Sequence, residues 1–334
     1  MTLEGAAITA AGLGLRPTAS ACSAPESDDP HVCTGPDGTF KLGVEAKVGD
    51  SLALEAVKGS WRTRFQVALT NEVVKLGDVR LSADPAKGAP RIAVADGNYD
   101  DIQGILSDLG YDFDFFWNHP AWVTPPDDGI WRLFELAASG KARLFSYDIV
   151  FVNCGTGEWL FLEPENVALM REYVAGGGRL YVSDLSYDLV ERAFPEYIEF
   201  FGDDDEDNAA QVGPDLPSTT LDATVRDAGL AAWLATRDCG AGGRIDTATN
   251  TLKLGGFLGG WVVMLGAEAT PQGGTVKVWV DADVETYGTV PLTVSFDHGN
   301  GMVLFTSYHN SADKDEADYL VAQRYVLEYL VFEF

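Results

Sequence analysis

Histidine, cysteine and methionine are scarce in this chain, at four of each in 334 residues. So few histidines exclude the usual metalloprotease signatures: the sequence holds no HExxH and no His-x-His pair. For a transition metal the candidate ligands are His119, His298, His309, Asp96 and Asp184. Basic residues are also few, 23 against 51 acidic ones, for a net charge of −28. A surface this acidic repels phosphate backbones and anionic lipid, which excludes nucleic acid and membrane surfaces as expected partners. It fits a salty, extracellular or cation-rich medium. No apolar run approaches the roughly 18 residues of a membrane span, so none is expected. The start, Met1-Thr-Leu-Glu-Gly5, lacks the basic and apolar regions of a signal peptide. The four cysteines bear on the compartment. Cys22 and Cys33 flank a Ser/Pro/Asp-rich loop whose length suits a disulfide, and Cys154 and Cys239 are available as a second pair. An even count does not fix connectivity, but disulfides would place the protein in an oxidising compartment.

The length suits two domains. Residues 1–84 carry short alternating runs, Ala7–Thr9, Phe40–Ala46, Ser51–Ala56, Arg64–Leu69 and Val73–Leu81, separated by turn residues such as Pro36-Asp-Gly38 and Gly49-Asp50. Short strands with no helical period predict a β-sandwich. Residues 85–90 read as a linker. From Arg91 the texture becomes strand–helix alternation. Strands are expected at Ile92–Ala95, Phe113–Trp117, Asp148–Asn153, Arg179–Ser183 and Val303–Thr306. Helices are expected at Asp101–Leu109, Ile130–Ala138, Glu163–Val174, Tyr187–Phe194 and about 315–329. Near-continuous apolar strands between helices predict an α/β fold with a mainly parallel, flavodoxin-like doubly wound sheet. Residues from about 202 to 290 read as an elaboration, with a helix near Ala228–Ala235 and β-type runs around Trp261–Leu265 and Val276–Val280.

Two resemblances attach to these segments. Asp37-Gly-Thr-Phe-Lys-Leu42 followed by Val48-Gly-Asp-Ser-Leu-Ala-Leu54 resembles the carboxypeptidase regulatory-like, transthyretin-like modules of secreted proteins, which implies a spacer rather than a catalytic role. Tyr147-Asp-Ile-Val-Phe-Val-Asn-Cys-Gly-Thr-Gly157, Val174-Ala-Gly-Gly-Gly-Arg-Leu-Tyr-Val-Ser183 and Gly299-Asn-Gly-Met-Val-Leu-Phe-Thr-Ser-Tyr-His309 stand in the order seen in class I glutamine amidotransferase-like domains. They resemble in particular the trehalose-utilisation-protein-like relatives, over residues 90 to 334. The resemblance implies a nucleophilic Cys at the strand-to-helix turn after the Gly-rich strand and a later His-x-Glu pair. Here that turn reads Ser183-Asp-Leu-Ser-Tyr-Asp188, and His309 is followed by Asn310 and Ser311. Glutamine hydrolysis is therefore not expected.

Ligands in such sheets bind beyond the carboxyl ends of the strands. That rule gathers Asp96, Asn98, Asn153, Gly155, Asp184, Tyr308 and His309, with Trp159 nearby, as a candidate ligand crevice. Asp184 and His309 are candidates for acid–base work. Cys154 completes a Cys–His–Asp set on paper, although it precedes the usual nucleophile turn and a disulfide or inert thiol is the competing reading. Asp203, Asp205 and Asp207 offer a candidate calcium loop, but Asn208 and Pro214 stand where an EF-hand needs Gly and Glu. Trp117, Trp122, Trp131, Trp159, Tyr187 and Tyr308 could pack as a lid or stack on a sugar.

These readings predict a non-catalytic secreted or cell-envelope binding or assembly protein, built on a degenerate amidotransferase-like domain, with a protein or carbohydrate partner and a cytoplasmic setting as the alternative. The alternative function is a hydrolase or carbohydrate-modifying enzyme using Asp184 and His309. A third is a self-assembling structural subunit. Apart from calcium, no cofactor is expected.

Overall fold

Four short runs, Ile92–Ala95, Ile149–Val152, Arg179–Ser183 and Gly301–Thr306, are buried at every residue. A strand buried on both faces must lie inside a sheet covered on each side. The computed structural model describes residues 7–10, 31–34, 39–118, 129–202, 206–216, 220–267, 275–310 and 318–332. The chain divides into two compact units, Met1–Pro90 with Tyr329–Phe334, and Arg91–Glu328.

In the first unit, β1 (Ala7–Ala10), β2 (His31–Cys33), β3 (Ser51–Lys58) and β4 (Trp61–Ala68) form one antiparallel sheet in the order β2-β1-β3-β4. The two-residue turn at Gly59 (φ +53°) sets the β3–β4 register, pairing Lys58 with Trp61 and Ser51 with Ala68. Trp61 is fully buried, its ring 5.1 Å from that of Phe332. The expected strands at Phe40–Ala46 and Val73–Leu81 are irregular chain, and no facing sheet lies among the described residues. Alternation alone does not hold a strand: the first run has no buried face, and Val73 is 76% exposed.

The second unit is built on a nine-stranded sheet. Its strands along the chain are β5 (Ile92–Ala95), β6 (Phe113–Phe116), β7 (Ile149–Val152), β8 (Arg179–Ser183), β10 (Thr220–Val225), β11 (Thr251–Gly255), β13 (Lys277–Val284), β14 (Gly288–His298) and β15 (Gly301–Thr306). A separate ribbon pairs β9 (Ile198–Phe200) with β12 (Met264–Ala267). The sheet runs β11-β10-β13-β14-β15-β8-β7-β5-β6, antiparallel as far as β15 and parallel from β15 to β6. The protein is thus mixed α/β with a mixed sheet. Most strands of the stretch from 202 to 290 continue the main sheet through β14.

The helices are α1 (Ile102–Leu109), α2 (Glu158–Phe161), α3 (Pro164–Ala175), α4 (Tyr187–Ala193), α5 (Ala228–Ala235), α6 (Gly240–Gly243) and α7 (Asp318–Val331). Asp101 caps α1 by accepting the amide of Gly104 at 3.1 Å, and Gly110 ends the helix in the left-handed region. Pro164 opens α3, where its missing N–H costs nothing. The helix expected at Ile130–Ala138 shrinks to one 3-10 turn, Ile130–Leu133. Beyond it the chain doubles back through Gly140 (φ +78°), pairing Leu136 with Ala142.

Register places the site. Thr306 pairs with Ser183, Val152 with Val182, Ala95 with Val152 and Phe116 with Ala95. The parallel strands therefore end level, and the polar residues following each emerge along one edge. Beneath them Val150, Val152, Leu180, Val182, Phe194, Phe296 and Phe305 form a continuous buried core, each contributing on the order of 1.5–3 kcal/mol by leaving water. No described helix is long and apolar enough to cross a membrane.

Candidate functional site

At this edge three side chains from three strand ends meet. Cys154 follows β7, Asp184 follows β8 and His309 follows β15. His309 Nε2 lies 3.0 Å from Cys154 Sγ and 2.8 Å from Asp184 Oδ2, while Sγ and Oδ2 are 3.8 Å apart. Cys154 is fully buried and Asp184 nearly so, whereas the His309 side chain is 18% exposed. The ligand atoms of these residues all lie within 4.8 Å of one another, a grouping able to hold a metal ion.

Each member is fixed by its surroundings. Asp184 begins the 3-10 turn between β8 and α4 with φ +37°, left-handed backbone that costs a non-glycine residue about 1–3 kcal/mol. Its other oxygen accepts the amide of Val262 at 2.8 Å. The ring of His309 stacks on Tyr99 at 5.6 Å and 18°, and Gln323 on α7 donates to its backbone carbonyl at 2.8 Å. No described residue bonds Nδ1. Burial works against the charged imidazole, but the hydrogen bond to Asp184 and the negative charge of Asp100 and Asp184 outweigh it, raising the His309 pKa.

Asp100, which no motif in the sequence marks, ties the strand ends together. Its buried carboxylate accepts the amides of Cys154 at 2.8 Å and Asn310 at 2.6 Å, and the Ser183 hydroxyl. Burial nonetheless pushes its pKa up, against the pull of His309. Neighbouring Asp101 is an obvious helix cap, so Asp100 reads as a duplicate. Its place in the loop between β5 and α1, on the carboxyl side of a buried strand, is the available signal.

The remaining candidates sort by position. Asp96 is half-buried and accepts the amide of Asn118 at 3.3 Å. Asn98 and Asn118 both donate to the Gly155 carbonyl, at 3.0 and 3.2 Å, so they clamp the loop after β7 from the crevice side. Gly155 takes φ +73° in that loop. Gly97 passes so close that a Cβ there would sit 2.3 Å from the Cys154 carbonyl oxygen. Asn153 is buried and donates to Gln103 at 3.0 Å. The side-chain amide oxygens of Asn153 and Asn310 and the Thr156 and Ser307 hydroxyls are buried without a partner among the described residues. Trp159 on α2 is 57% exposed.

Three expectations are corrected. Cys154 and Cys239 are both buried thiols and form no disulfide. Cys33 is disulfide-bonded, while Cys22 lies outside the described residues. Tyr308 is buried with its hydroxyl 2.8 Å from Thr293 Oγ1, so it braces β14 instead of lining the crevice. Adjacent residues at a strand end point oppositely, and His309 takes the open side. His298 bonds Tyr197 at 2.9 Å, apart from the cluster. His119, Trp122, Asp203 and Asp205 lie outside the described residues, and Asp207 pairs with Arg192 at 2.7 Å.

No family model and no curated protein matches this chain. Among solved structures it is similar to Cytoplasmic Protein STM1381 from Salmonella typhimurium LT2, at 16% identity and a TM-score of 0.44 over 72% of this chain and 97% of that one. Cytoplasmic Protein STM3548 from Salmonella typhimurium is 13% identical with a TM-score of 0.41, over 72% and 98% of the two chains. A β-galactosidase from Bacillus circulans sp. alkalophilus is 14% identical with a TM-score of 0.35, over 71% of this chain and 31% of that one. Likenesses this distant have no bearing on function.

Proposed function

We propose that the chain is a hydrolase acting on a small polar or carbohydrate-like substrate in the crevice beyond β5, β7, β8 and β15, with Asp184 and His309 at its centre. The observation that carries this is the strained Asp184, held left-handed at a strand-to-helix turn and bonded at 2.8 Å to a partly exposed imidazole. Stored backbone strain clusters at functional sites, and a purely structural Asp–His pair needs no such conformation. The polar atoms of Asn153, Thr156, Ser307 and Asn310 that have no partner among the described residues add hydrogen-bonding capacity at the same strand ends. In this reading Asp184 orients His309, and Nδ1, which no described residue bonds, faces substrate.

The proposal includes a divergent amidotransferase-like domain of flavodoxin type. Its support is the order of the parallel strands, second-first-third-fourth-fifth along the chain, and the sharp turn at Asp184 where that family carries its nucleophile. The disulfide-bonded Cys33 supports an oxidising, secreted or envelope setting. A non-catalytic binding or assembly role draws its support from Trp117 and Trp159, 45% and 57% exposed.

Turnover of a panel of chromogenic esters, amides and glycosides separates the two. Asp184→Asn and His309→Ala should keep the wild-type circular dichroism and lose about 10²–10⁴-fold in kcat/KM. Wild-type rates equal to those of both variants, with concentration-dependent oligomers in all three, would sink the hydrolase reading.

A further inference from the structure

We propose that Cys154 Sγ, His309 Nε2 and Asp184 Oδ2 are the three protein ligands of a zinc ion, a role in hydrolysis that rests on the reading above. In a thiol–imidazole–carboxylate relay the two ring nitrogens divide the work, one facing the nucleophile and the other the carboxylate. Here both partners crowd the same nitrogen, at 3.0 and 2.8 Å, and no described residue bonds the other. One nitrogen cannot both take a proton from the thiol and give one to the carboxylate. Three donor atoms turned toward a common point are a tripod.

The donor set fits zinc. One thiolate, one imidazole and one carboxylate are ordinary zinc ligands, and three of them leave the fourth position open, as in catalytic sites. A thiolate disfavours magnesium and calcium. Tetrahedral zinc with its usual bond lengths spaces its ligand atoms by roughly 3.4–3.6 Å. The observed 3.0, 2.8 and 3.8 Å reach that spacing with movements of about half an ångström or less.

A second layer of contacts is in place. Val262 holds the free oxygen of Asp184, Asp100 holds the backbone amide of Cys154, and Tyr99 fixes the plane of the His309 ring. Zinc would displace the protons of Nε2 and of the thiol. The neutral ring would keep its Nδ1 proton for the crevice, and the open coordination position would hold a water made acidic by the metal.

The test uses the full-length protein stripped of metal by chelator. Titrated with Zn²⁺ alone, it should bind about one ion per chain with a raised melting temperature. Co²⁺ in place of Zn²⁺ should give a thiolate-to-cobalt charge-transfer band. Cys154→Ser should abolish that band and weaken Zn²⁺ binding more than about 100-fold, beyond the 10–100-fold cost of disturbing an outer contact. Cys239→Ser, which alters the other buried thiol, should keep both. No saturable Zn²⁺ binding by the wild type, or a cobalt band that survives Cys154→Ser, overturns the proposal. Zinc bound without turnover of any substrate upholds the site and defeats the hydrolase reading. Undiminished turnover by the stripped protein does the reverse.

Discussion

Asp188 is fully buried on α4, where its carboxylate accepts the amide of Asn208 at 3.2 and 3.3 Å. Burial is the largest influence on it and raises its pKa above 3.8, with Asp207 adding to the rise and the Asn208 amide, Tyr187 and Arg192 opposing it. Because the folded-state pKa is raised, folding favours the protonated acid. That contribution is whole below the unfolded pKa and disappears as pH rises through the folded one. Asp188→Asn cannot ionise, so it should melt a few degrees above the wild type at pH 8, at about 2–4 °C per kcal/mol, and show no gain near pH 4. Melting curves at both pH values check it, and an equal gain at each would mean that ionisation is not the cause. Among single residues, Cys154, Asp184 and His309 were legible because each follows an apolar strand, and strand ends converge. Asp100 was hidden beside the helix cap Asp101. The supposed Cys154–Cys239 pair failed because an even count of cysteines carries no distance.

Strands buried on both faces announce themselves in sequence, so β5, β7, β8 and β15 were readable within a residue or two. Helices with clear end signals, such as Pro164 at the start of α3, were equally plain. Runs whose structure depends on a distant partner were not. Phe40–Ala46 alternates properly yet finds no neighbour among the described residues. Thr220–Val225 alternates as well, but nothing local reveals that β13 and β11 flank it. In the first unit the β3–β4 hairpin leans on one large anchor, the fully buried Trp61. Trp61→Ala should cost about 3–5 kcal/mol and Trp61→Phe clearly less. Urea unfolding followed by circular dichroism reads this as an ordered pair of midpoints, and an alanine variant with the wild-type midpoint would show that the hairpin does not depend on the ring.

Across the whole molecule, 51 acidic residues face 23 basic ones. Local pairs such as Lys253–Asp222 at 2.8 Å and Arg226–Asp281 at 2.6 Å use cations where they stand and leave a large negative remainder. A charge of −28 opposes compaction by self-repulsion, and salt shortens its reach from about 10 Å at 0.1 M to about 3 Å at 1 M. The melting temperature should therefore climb by several degrees between about 0.05 and 1 M sodium chloride. Sodium chloride is the proper titrant, because sulfate also stabilises by exclusion from the surface. A flat or falling curve would mean that ion pairs outweigh the repulsion.

The parallel neighbours β8 and β15 are far apart along the chain, Arg179 pairing with Met302 and Ser183 with Thr306. A ribosome making this protein releases Cys154 and Asp184 long before His309, and all the residues of β10, β11, β13 and β14 emerge in between. The strand that delivers the imidazole is made after every other strand of its sheet, and closing so long a loop is slow. A nascent or truncated chain thus carries a thiol and a carboxylate with nothing to join them. On the hydrolase reading proposed above, activity at this edge waits for the completed fold, and half-made copies stay chemically silent.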